Sequence, residues 1–434
     1  MQAEERKKRI AEITKGDIYS PDGKGKRLRY CGEVKTFIEY EIPIELLVFN
    51  VENGRIASMV KSFERERSSL DPERPNDAQQ IAQFLFDSNE QANEKTKKSI
   101  ADNGQLETGI ITSDGVIVDG NRRASLMLAI RKDTAKYTPE QRARCNKFRC
   151  VVLPEDANEK EILRLETTYQ MGADEKVGYN PIEKYLHARD MINKGFAPDD
   201  IAEYMGLGST AKVTELLEVM KLIDEYLDNY EYTGIYTRLP RGFEDDMLKL
   251  YQAINRVKGG KINWITGDRV KPVIVDLKCI CFDFIRLNAK TQEGFDYRMI
   301  ASTNGNNFLL SEDVWSKFVT DWQDATTGVE EQSIDEVLAN SRSSGDSERL
   351  LENRDQLWRD KVQEKLLEGF AEAKTTIENK KEKEKPSVLI KRAISALSQI
   401  DQTKLATSND KDTIRHYLGE LDSVFKEVLN AIKD

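Results

Sequence analysis

A strand, a turn, a second strand and a helix follow one another without a break between residues 109 and 130. This segment limits the possible folds of the chain more than any other part of the sequence. Short β-rich segments flank the turn at 113–115 (SDG), a pattern that predicts a β-hairpin. Residues 119–121 (DGN) end the second strand, and the apolar positions between 124 and 130 predict a helix that begins at once. A hairpin joined directly to a helix predicts a mixed α+β domain in this part of the chain.

The strand–helix junction at 119–125 (DGNRRAS) carries the strongest chemical signal in the sequence. Gly120 frees the backbone to approach a ligand, and the N–H groups at a helix start carry partial positive charge. Arg122 and Arg123 add two cations in the first turn, where they oppose the helix dipole. A bound anion would remove that conflict, and guanidinium groups match phosphate with paired hydrogen bonds. The junction therefore favours a phosphate site, the alternative being that both arginines point to solvent or pair with Asp119.

Two weaker candidates lie on either side of this junction in the sequence. Gly104 and Gln105 stand between a predicted helix and the first hairpin strand, where a glycine usually ends the helix. Glu166 and Gln170 are one helical turn apart, so they could share a face and hold a metal ion or a water. A solvated helix face explains the same spacing.

Other local patterns fill in the secondary structure. The apolar run at 42–49 predicts a strand, the pattern at 77–102 predicts helical structure, and 150–153 predicts a further strand. Cys279 and Cys281 could share one face of a strand. The five cysteines show no CxxC spacing, so zinc ribbons and disulfide frameworks are not expected.

Residues 198–227 have the pattern of a helix-turn-helix: a short helix, a glycine turn and a longer helix capped by Ser209 or Thr210. The surrounding segment 181–230 holds five Lys and Arg residues against ten Asp and Glu residues. A recognition helix pressed against DNA phosphates should not be net acidic. Val213 also falls on the apolar face of the longer helix, which indicates a core position. Docking of another protein is therefore an alternative role for this module.

The whole chain is acidic, with 66 Lys and Arg residues, 76 Asp and Glu residues and a net charge of −10 over 434 residues. This balance argues against a protein that coats nucleic acid without discrimination. Basic residues are nevertheless concentrated in residues 1–30, which reads either as a nucleic-acid contact or as a solvated terminal arm. With only two histidines, multi-histidine metal sites are not expected. The absence of a long apolar segment or a signal-peptide pattern predicts no membrane span and a cytoplasmic location.

The order of these segments resembles the N-terminal domain of ParB proteins, in the ParB/sulfiredoxin superfamily. The resemblance covers roughly residues 41–230, with an insertion expected at 56–100. Residues 53–55 (NGR) match the family's Asn-Pro-Arg element, and Gly104 and Gln105 match its first nucleotide-binding box. Residues 120–123 (GNRR) match the second box, which in the family reads Gly-Glu-Arg-Arg. Glu166 matches the third box, and residues 180–184 (NPIEK) match the helix after it.

The resemblance implies a domain that binds a nucleoside triphosphate with Mg²⁺. That nucleotide is CTP in ParB proteins, where it gates a DNA clamp; other members bind ATP, phosphorylate small substrates or sulfinic acid, or cut DNA. The implied nucleotide-binding residues are Gly104, Gln105, Asp119, Gly120, Asn121, Arg122, Arg123 and Ser125. Glu166 would lie near the metal or the hydrolytic water, as the candidate catalytic residue and magnesium ligand.

The sequence departs from the family at three points. Asn121 replaces the usual Glu of the second box, and Thr167 follows Glu166 where the family commonly has Asn. The second difference puts magnesium binding and hydrolysis in question. The second box also lacks a cysteine, which argues against sulfiredoxin chemistry.

The predicted organisation has five parts. They are a basic N-terminal arm (1–40), a ParB-like nucleotide-binding domain (41–155), a helical helix-turn-helix-like domain (156–230), a mostly helical region of unknown role (231–385) and a C-terminal helical hairpin (386–434). The heptad-like spacing from Ile414 to Ile432 allows either packing on the chain's own domain or a homodimer contact.

These patterns lead to one main functional hypothesis and two alternatives. The main hypothesis is a ParB-like protein that binds CTP or ATP and acts on or around DNA, in partition, DNA modification or defence against mobile DNA. The first alternative is a nuclease or an accessory ATPase of a modification or restriction complex. The second is a non-catalytic assembly protein that recruits partners through its C-terminal helices. A nucleoside triphosphatase activity is left open, and the sequence does not distinguish CTP from ATP.

Overall fold

The computed structural model describes residues 2–16, 25–174, 181–302, 307–344, 347–381, 386–401 and 410–432. The chain divides into two compact units, residues 1–373 and 374–434. In the described segments, no helix combines the length and the apolar character needed to cross a membrane.

The strands of the first unit form a hairpin and a four-stranded sheet. They are β1 (Lys26–Tyr30), β2 (Glu33–Phe37), β3 (Glu39–Pro43), β4 (Gly109–Ile111), β5 (Ile117–Asp119) and β6 (Lys147–Val152). β1 and β2 pair with each other, and the sheet has the order β3-β6-β4-β5. β4 is antiparallel to β5 but parallel to β6, and β3 is antiparallel to β6. The predicted hairpin at 109–118 is confirmed, and the sheet is small and mixed.

Helices make up most of the remaining described structure. They are α1 (Ala3–Lys15), α2 (Ala57–Glu66), α3 (Pro75–Asp87), α4 (Glu90–Asn103), α5 (Asn121–Lys132), α6 (Pro139–Arg144), α7 (Glu159–Asp174), α8 (Pro181–Asn193), α9 (Pro198–Tyr204), α10 (Thr210–Asn229), α11 (Phe243–Lys258), α12 (Val270–Arg286), α13 (Glu312–Thr326), α14 (Ile334–Ser344), α15 (Ser347–Lys381), α16 (Pro386–Ser398) and α17 (Lys411–Asn430). The fold is therefore α+β, with a small mixed sheet and a helical C-terminal region.

Alternation along the strands gives the sheet two buried faces. Ile111 and Phe148 belong to a core that includes side chains of α3, α4 and α5. Their neighbours Ile110 and Val151 belong to a second core with Leu28 of β1 and Leu165 of α7. Successive strand residues point to opposite faces, so both layers are needed to cover the sheet. This arrangement places the β1–β2 hairpin and α7 on one face, and α5 begins where β5 ends.

Part of the predicted basic arm is folded against the domain. Arg6 and Ile10 of α1 are buried. The Arg6 guanidinium donates to the carbonyl of Asp114 in the hairpin turn and pairs with Glu73 at 3.0 Å. α1 is therefore not a solvated extension, since its polar and apolar side chains both have partners within the unit.

Two predictions about secondary structure were wrong, and one segment predicted to be helical is divided into two helices. The strand expected over 42–49 ends at Pro43, and residues 44–46 form a 3₁₀ turn. The segment 77–102 is helical as predicted, in two helices, because Asn89 caps a new one by accepting a hydrogen bond from Ala92 N. Cys279 and Cys281 lie in α12 rather than in a strand.

The predicted short helix, glycine turn and longer helix are present as α9, the segment 205–209 and α10. Gly206 and Gly208 both have positive φ, which explains the two glycines in this turn. Val213 is buried in α10, as its apolar spacing predicts. Gly195 likewise ends the turn after α8 with positive φ.

Candidate phosphate site at the start of helix α5

Gly120 forms the corner between β5 and α5. Its φ of 109° is in the left-handed region, and it is the N-cap residue of α5. A Cβ at this position would lie 2.7 Å from Cζ of Phe148, so a side chain would clash as well as strain the backbone. The corner requires glycine, and it leaves the first N–H groups of α5 without intrahelical partners, as at any helix start.

Asn121 anchors this corner instead of reaching outwards. Its buried side chain accepts a hydrogen bond from Asn50 N at 2.9 Å and donates to Ile117 O at 2.8 Å. These two hydrogen bonds connect the side-chain amide of Asn121 to the loop that contains Asn50 and to β5. The structure therefore gives Asn121 a positioning role at the junction.

Arg123 and Lys26 share the carboxylate of Asp119. Arg123 pairs with Asp119 at 2.9 Å, the alternative that the sequence left open. Lys26 of β1 lies 3.7 Å from the same carboxylate and donates to Thr108 O at 2.5 Å. Burial lowers the pKa of the Lys26 ammonium, and the Asp119 carboxylate opposes that shift. Sequence reasoning missed Lys26 because nothing local to β1 indicates that it reaches α5.

The other residues of the segment differ in their surroundings. Arg122 is partly buried in the first turn of α5. Ser125 is buried, and its hydroxyl donates to Arg122 O at 2.8 Å. Ser125 also lines a cavity of about 520 Å³ between α3 and α5. The Ser125 hydroxyl therefore donates its proton to the backbone of α5.

Gly104 and Gln105 connect α4 to the sheet. Gly104 has φ 76° and ends α4, as the local pattern indicates. The Gln105 side chain donates to Arg149 O at 2.7 Å and accepts from Arg149 N at 2.8 Å, so it pairs with the backbone of β6. The contact of Lys26 with Thr108 O brings the segment after Gln105 close to Asp119.

Glu166 is connected to the start of α5 through Asn50. Its carboxylate accepts from Asn50 Nδ2 at 3.1 Å and from Gly54 N at 3.1 Å, and it is buried. The backbone N–H of Asn50 donates to Asn121. The loop 50–54, which contains the first two residues of the NGR segment, therefore joins two residues that lie far apart in sequence. Asn50 was not singled out from the sequence, where it reads as the end of an apolar run.

The neighbour of Glu166 on α7 contacts a buried histidine. Thr167 Oγ1 donates to Leu163 O at 2.7 Å and lies 2.6 Å from Nε2 of His187. Burial, reinforced by Lys194, lowers the pKa of His187 to about 4, so the ring is neutral near pH 7. The side chain of Gln170, which the sequence paired with Glu166, lies outside the described side chains.

The donor set at Glu166 limits how a metal could bind. No group of three or more His, Cys, Asp and Glu side chains with metal-binding geometry occurs among the described residues. Mg²⁺ is commonly held by one or two carboxylates together with phosphate oxygens and waters. Glu166 would fit that pattern as a single protein ligand, with a nucleotide supplying the other charged oxygens.

Several charged side chains of α9 and α10, the predicted helix-turn-helix, form ion pairs. On α10, Lys212 pairs with Glu215 at 2.7 Å and Lys221 pairs with Glu218 at 2.6 Å. On α9, Glu203 pairs with Arg29 of β1 at 2.6 Å. These pairs neutralise the lysines of α10, and the surface carries an acidic excess overall.

Comparisons with known proteins find similarity to a solved structure. No protein-family model matches the chain, and no curated protein matches it. A solved Pnob8-like ParB-N domain is 12% identical, with the alignment covering 64% of this chain and 94% of that chain at a TM-score of 0.34. An identity and a TM-score this low do not assign the chain to a family. The α+β architecture follows from the strands and helices of this chain alone.

Proposed function

We propose that the chain binds a nucleoside triphosphate, CTP or ATP with Mg²⁺, at the start of α5. The observation that carries the proposal is the meeting of Lys26 and Arg123 at Asp119, beside a helix start that turns on Gly120 and has Arg122 in its first turn. Helix N–H groups and cations together favour a polyanion. Guanidinium groups add paired hydrogen bonds to phosphate oxygens.

Asp119 has a defined part in this proposal. Its carboxylate holds Arg123 and Lys26 in place at 2.9 and 3.7 Å. A triphosphate would compete with Asp119 for the same two cations, because both offer anionic oxygens to them. Asp119 would thus position the cations and weaken binding by its own charge.

Glu166 is proposed as the residue nearest the metal or the hydrolytic water. Asn50 connects its carboxylate to Asn121, and Gly54 N holds the second oxygen. A phosphate bound at α5 would therefore meet a carboxylate whose orientation is already set. Nucleoside triphosphate hydrolysis remains part of the proposal, as does action on or around DNA in partition, modification or defence.

A thermal-shift experiment tests nucleotide binding directly. CTP or ATP with Mg²⁺ is expected to raise Tm, because a ligand that binds only the folded state adds about 2.7 kcal/mol of stability at a hundred times its Kd. Cytidine and adenosine serve as controls that lack the phosphates. An unchanged Tm with both triphosphates, or an equal rise with the nucleosides, would contradict the proposal.

Assembly through the C-terminal unit is a second candidate function, favoured by its exposed apolar side chains. The apolar positions of α17 and of the turn that follows it have spacings of four and three residues, and they are Ile414, Leu418, Leu421, Phe425, Val428 and Ile432. Phe425 is 61% exposed and Ile432 is 69% exposed. An apolar seam of this period packs against another helix in water.

Light scattering on the full chain tests this second candidate. We expect a mass above that of one chain, and we expect Phe425→Lys to reduce it to that of the monomer by placing a charge in the seam. Ser423→Lys is the matched control, since it adds the same charge on the polar face of α17. A monomeric parent chain, or equal masses for both variants, would count against self-assembly.

A further inference from the structure

The cavity between α3 and α5 lies beside the later turns of α5 and not at its start. It has a volume of about 520 Å³, and its apolar lining residues are Phe49, Pro75, Ala78, Ala82, Phe86, Leu126, Leu128 and Ala129. Of the predicted nucleotide-binding residues, its lining contains Ser125, whose hydroxyl donates to Arg122 O. A cavity of this size with an apolar wall accommodates the apolar body of a small organic ligand.

Two lysines give this cavity a positive charge. Lys97 of α4 and Lys132 at the end of α5 belong to its lining, and none of the described residues that line it is an Asp or a Glu. The chain as a whole has 76 Asp and Glu residues against 66 Lys and Arg residues, so this lining differs in charge from the chain average. An anion in the cavity would be attracted by both ammonium groups.

Neither lysine has a carboxylate partner among the residues that the structure describes. The ammonium group of Lys97 lies 6.0 Å from the ring centre of Phe86 and 5.9 Å from that of Tyr137. These ring contacts hold the charge of Lys97 beside the aromatic part of the wall. The nearby Lys136, in contrast, pairs with Glu94 at 4.0 Å. The two charges in the lining are therefore available to a ligand.

We propose that this cavity binds an amphipathic organic anion, with its apolar body between α3 and α5 and its carboxylate near Lys97 and Lys132. An uncharged ligand would leave both ammonium groups without a counter-ion, and a small inorganic anion would leave the apolar wall in contact with water. Selectivity comes from the combination of an apolar wall and two cations. The proposal does not depend on nucleotide binding at the start of α5.

Titration calorimetry of the full chain with 4-phenylbutyrate and 4-phenylbutanamide tests the proposal. The two probes have the same ring and the same carbon chain, and they differ in the charge at one end. We expect the carboxylate to bind about tenfold more tightly than the amide, because a hydrogen bond to a charged group strengthens binding by about that factor. No binding of the carboxylate at millimolar concentration, or equal affinities for the two probes, would overturn the proposal.

Glutamine at the two lysines locates the site of binding. The double variant Lys97→Gln/Lys132→Gln should bind the two probes with equal affinity, because it removes both charges from the lining. Lys95→Gln/Lys98→Gln is the matched control, since it makes the same changes at exposed positions of α4 outside the cavity. The control should keep the preference for the carboxylate. A preference that persists in the first double variant would show that the anion binds elsewhere.

A cavity-filling variant gives a second readout. Ala129→Phe should abolish binding of 4-phenylbutyrate by occupying the cavity, whereas Ala143→Phe makes the same change at an exposed position of α6 and should leave binding intact. Binding that survives in folded Ala129→Phe would contradict the proposal. If Ala129→Phe does not fold, the lysine variants still decide the question.

Discussion

Alanine at Arg122 or Arg123 is expected to weaken CTP or ATP binding by about ten- to a hundredfold. Each change removes a guanidinium–phosphate contact, which contributes about 1.5–3 kcal/mol. Arg123→Ala should have the larger effect, because it also leaves Asp119 without its contact at 2.9 Å. That carboxylate would then repel the phosphates more strongly. Titration calorimetry with each nucleotide and Mg²⁺ measures the change.

Two further variants sharpen this experiment. Arg131→Ala is the matched control, since Arg131 lies in the last turn of α5 and pairs with Glu45. The Arg131→Ala variant should bind the nucleotide with the same affinity as the parent chain. Adding Asp119→Asn to Arg123→Ala should restore part of the lost affinity by removing the repelling charge. Equal binding by the parent and both arginine variants would exclude the start of α5 as the phosphate site.

Methionine at Arg286 is expected to lower the free energy of unfolding by about 3–5 kcal/mol, the usual cost of removing one partner from a buried ion pair. Arg286 is buried at the end of α12. It contacts Asp355 at 2.8 Å and Glu331 at 2.5 Å. Its guanidinium carbon also lies 4.5 Å from the ring centres of both Tyr230 and Trp358.

The carboxylate of Asp355 shows how strongly this cluster depends on its cations. Burial alone would raise the pKa of Asp355, yet Arg286 and Arg238 hold it below its ordinary value. Tyr232 adds a hydrogen bond at 2.7 Å. Without Arg286, Asp355 keeps Arg238, but Glu331 and Asp355 lose the cation that they share.

Urea unfolding followed by tryptophan fluorescence measures the effect of Arg286→Met. Arg269→Met is the matched control, because Arg269 makes an exposed pair with Glu312 at 2.6 Å. The control should change the unfolding free energy by no more than about 0.5 kcal/mol. If Arg286→Met is as mild as the control, the buried cluster does not stabilise the fold as described.

Local patterns predicted the elements around the site well. The turn at 113–115 predicted the hairpin, and residues 119–121 predicted the strand end and the helix that follows. The pattern failed at 42–49, where apolar spacing suggested a strand but the chain forms a 3₁₀ turn after Pro43. It also failed at Cys279 and Cys281, because a short apolar run fits a buried helix as well as a strand.

Residues that reach the site from distant parts of the sequence could not be predicted from local patterns. Lys26 looked like one charge in a basic arm, and Asn50 looked like the end of a strand. Asn50 bonds to residues 71 and 116 positions further along the chain. Such contacts depend on how the loop 50–54, α5 and α7 pack together, and no local periodicity encodes that packing.

The sequence by itself determined the α+β class, the glycine corner at 120 and the presence of two arginines in the first turn of α5. These features follow from backbone conformation and helix geometry, which act over a few residues. Only the tertiary structure decided that Arg123 and Lys26 share Asp119, and that Asn50 joins Asn121 to Glu166. Burial of both sheet faces brings these distant segments together, so the geometry of the candidate site is a consequence of packing.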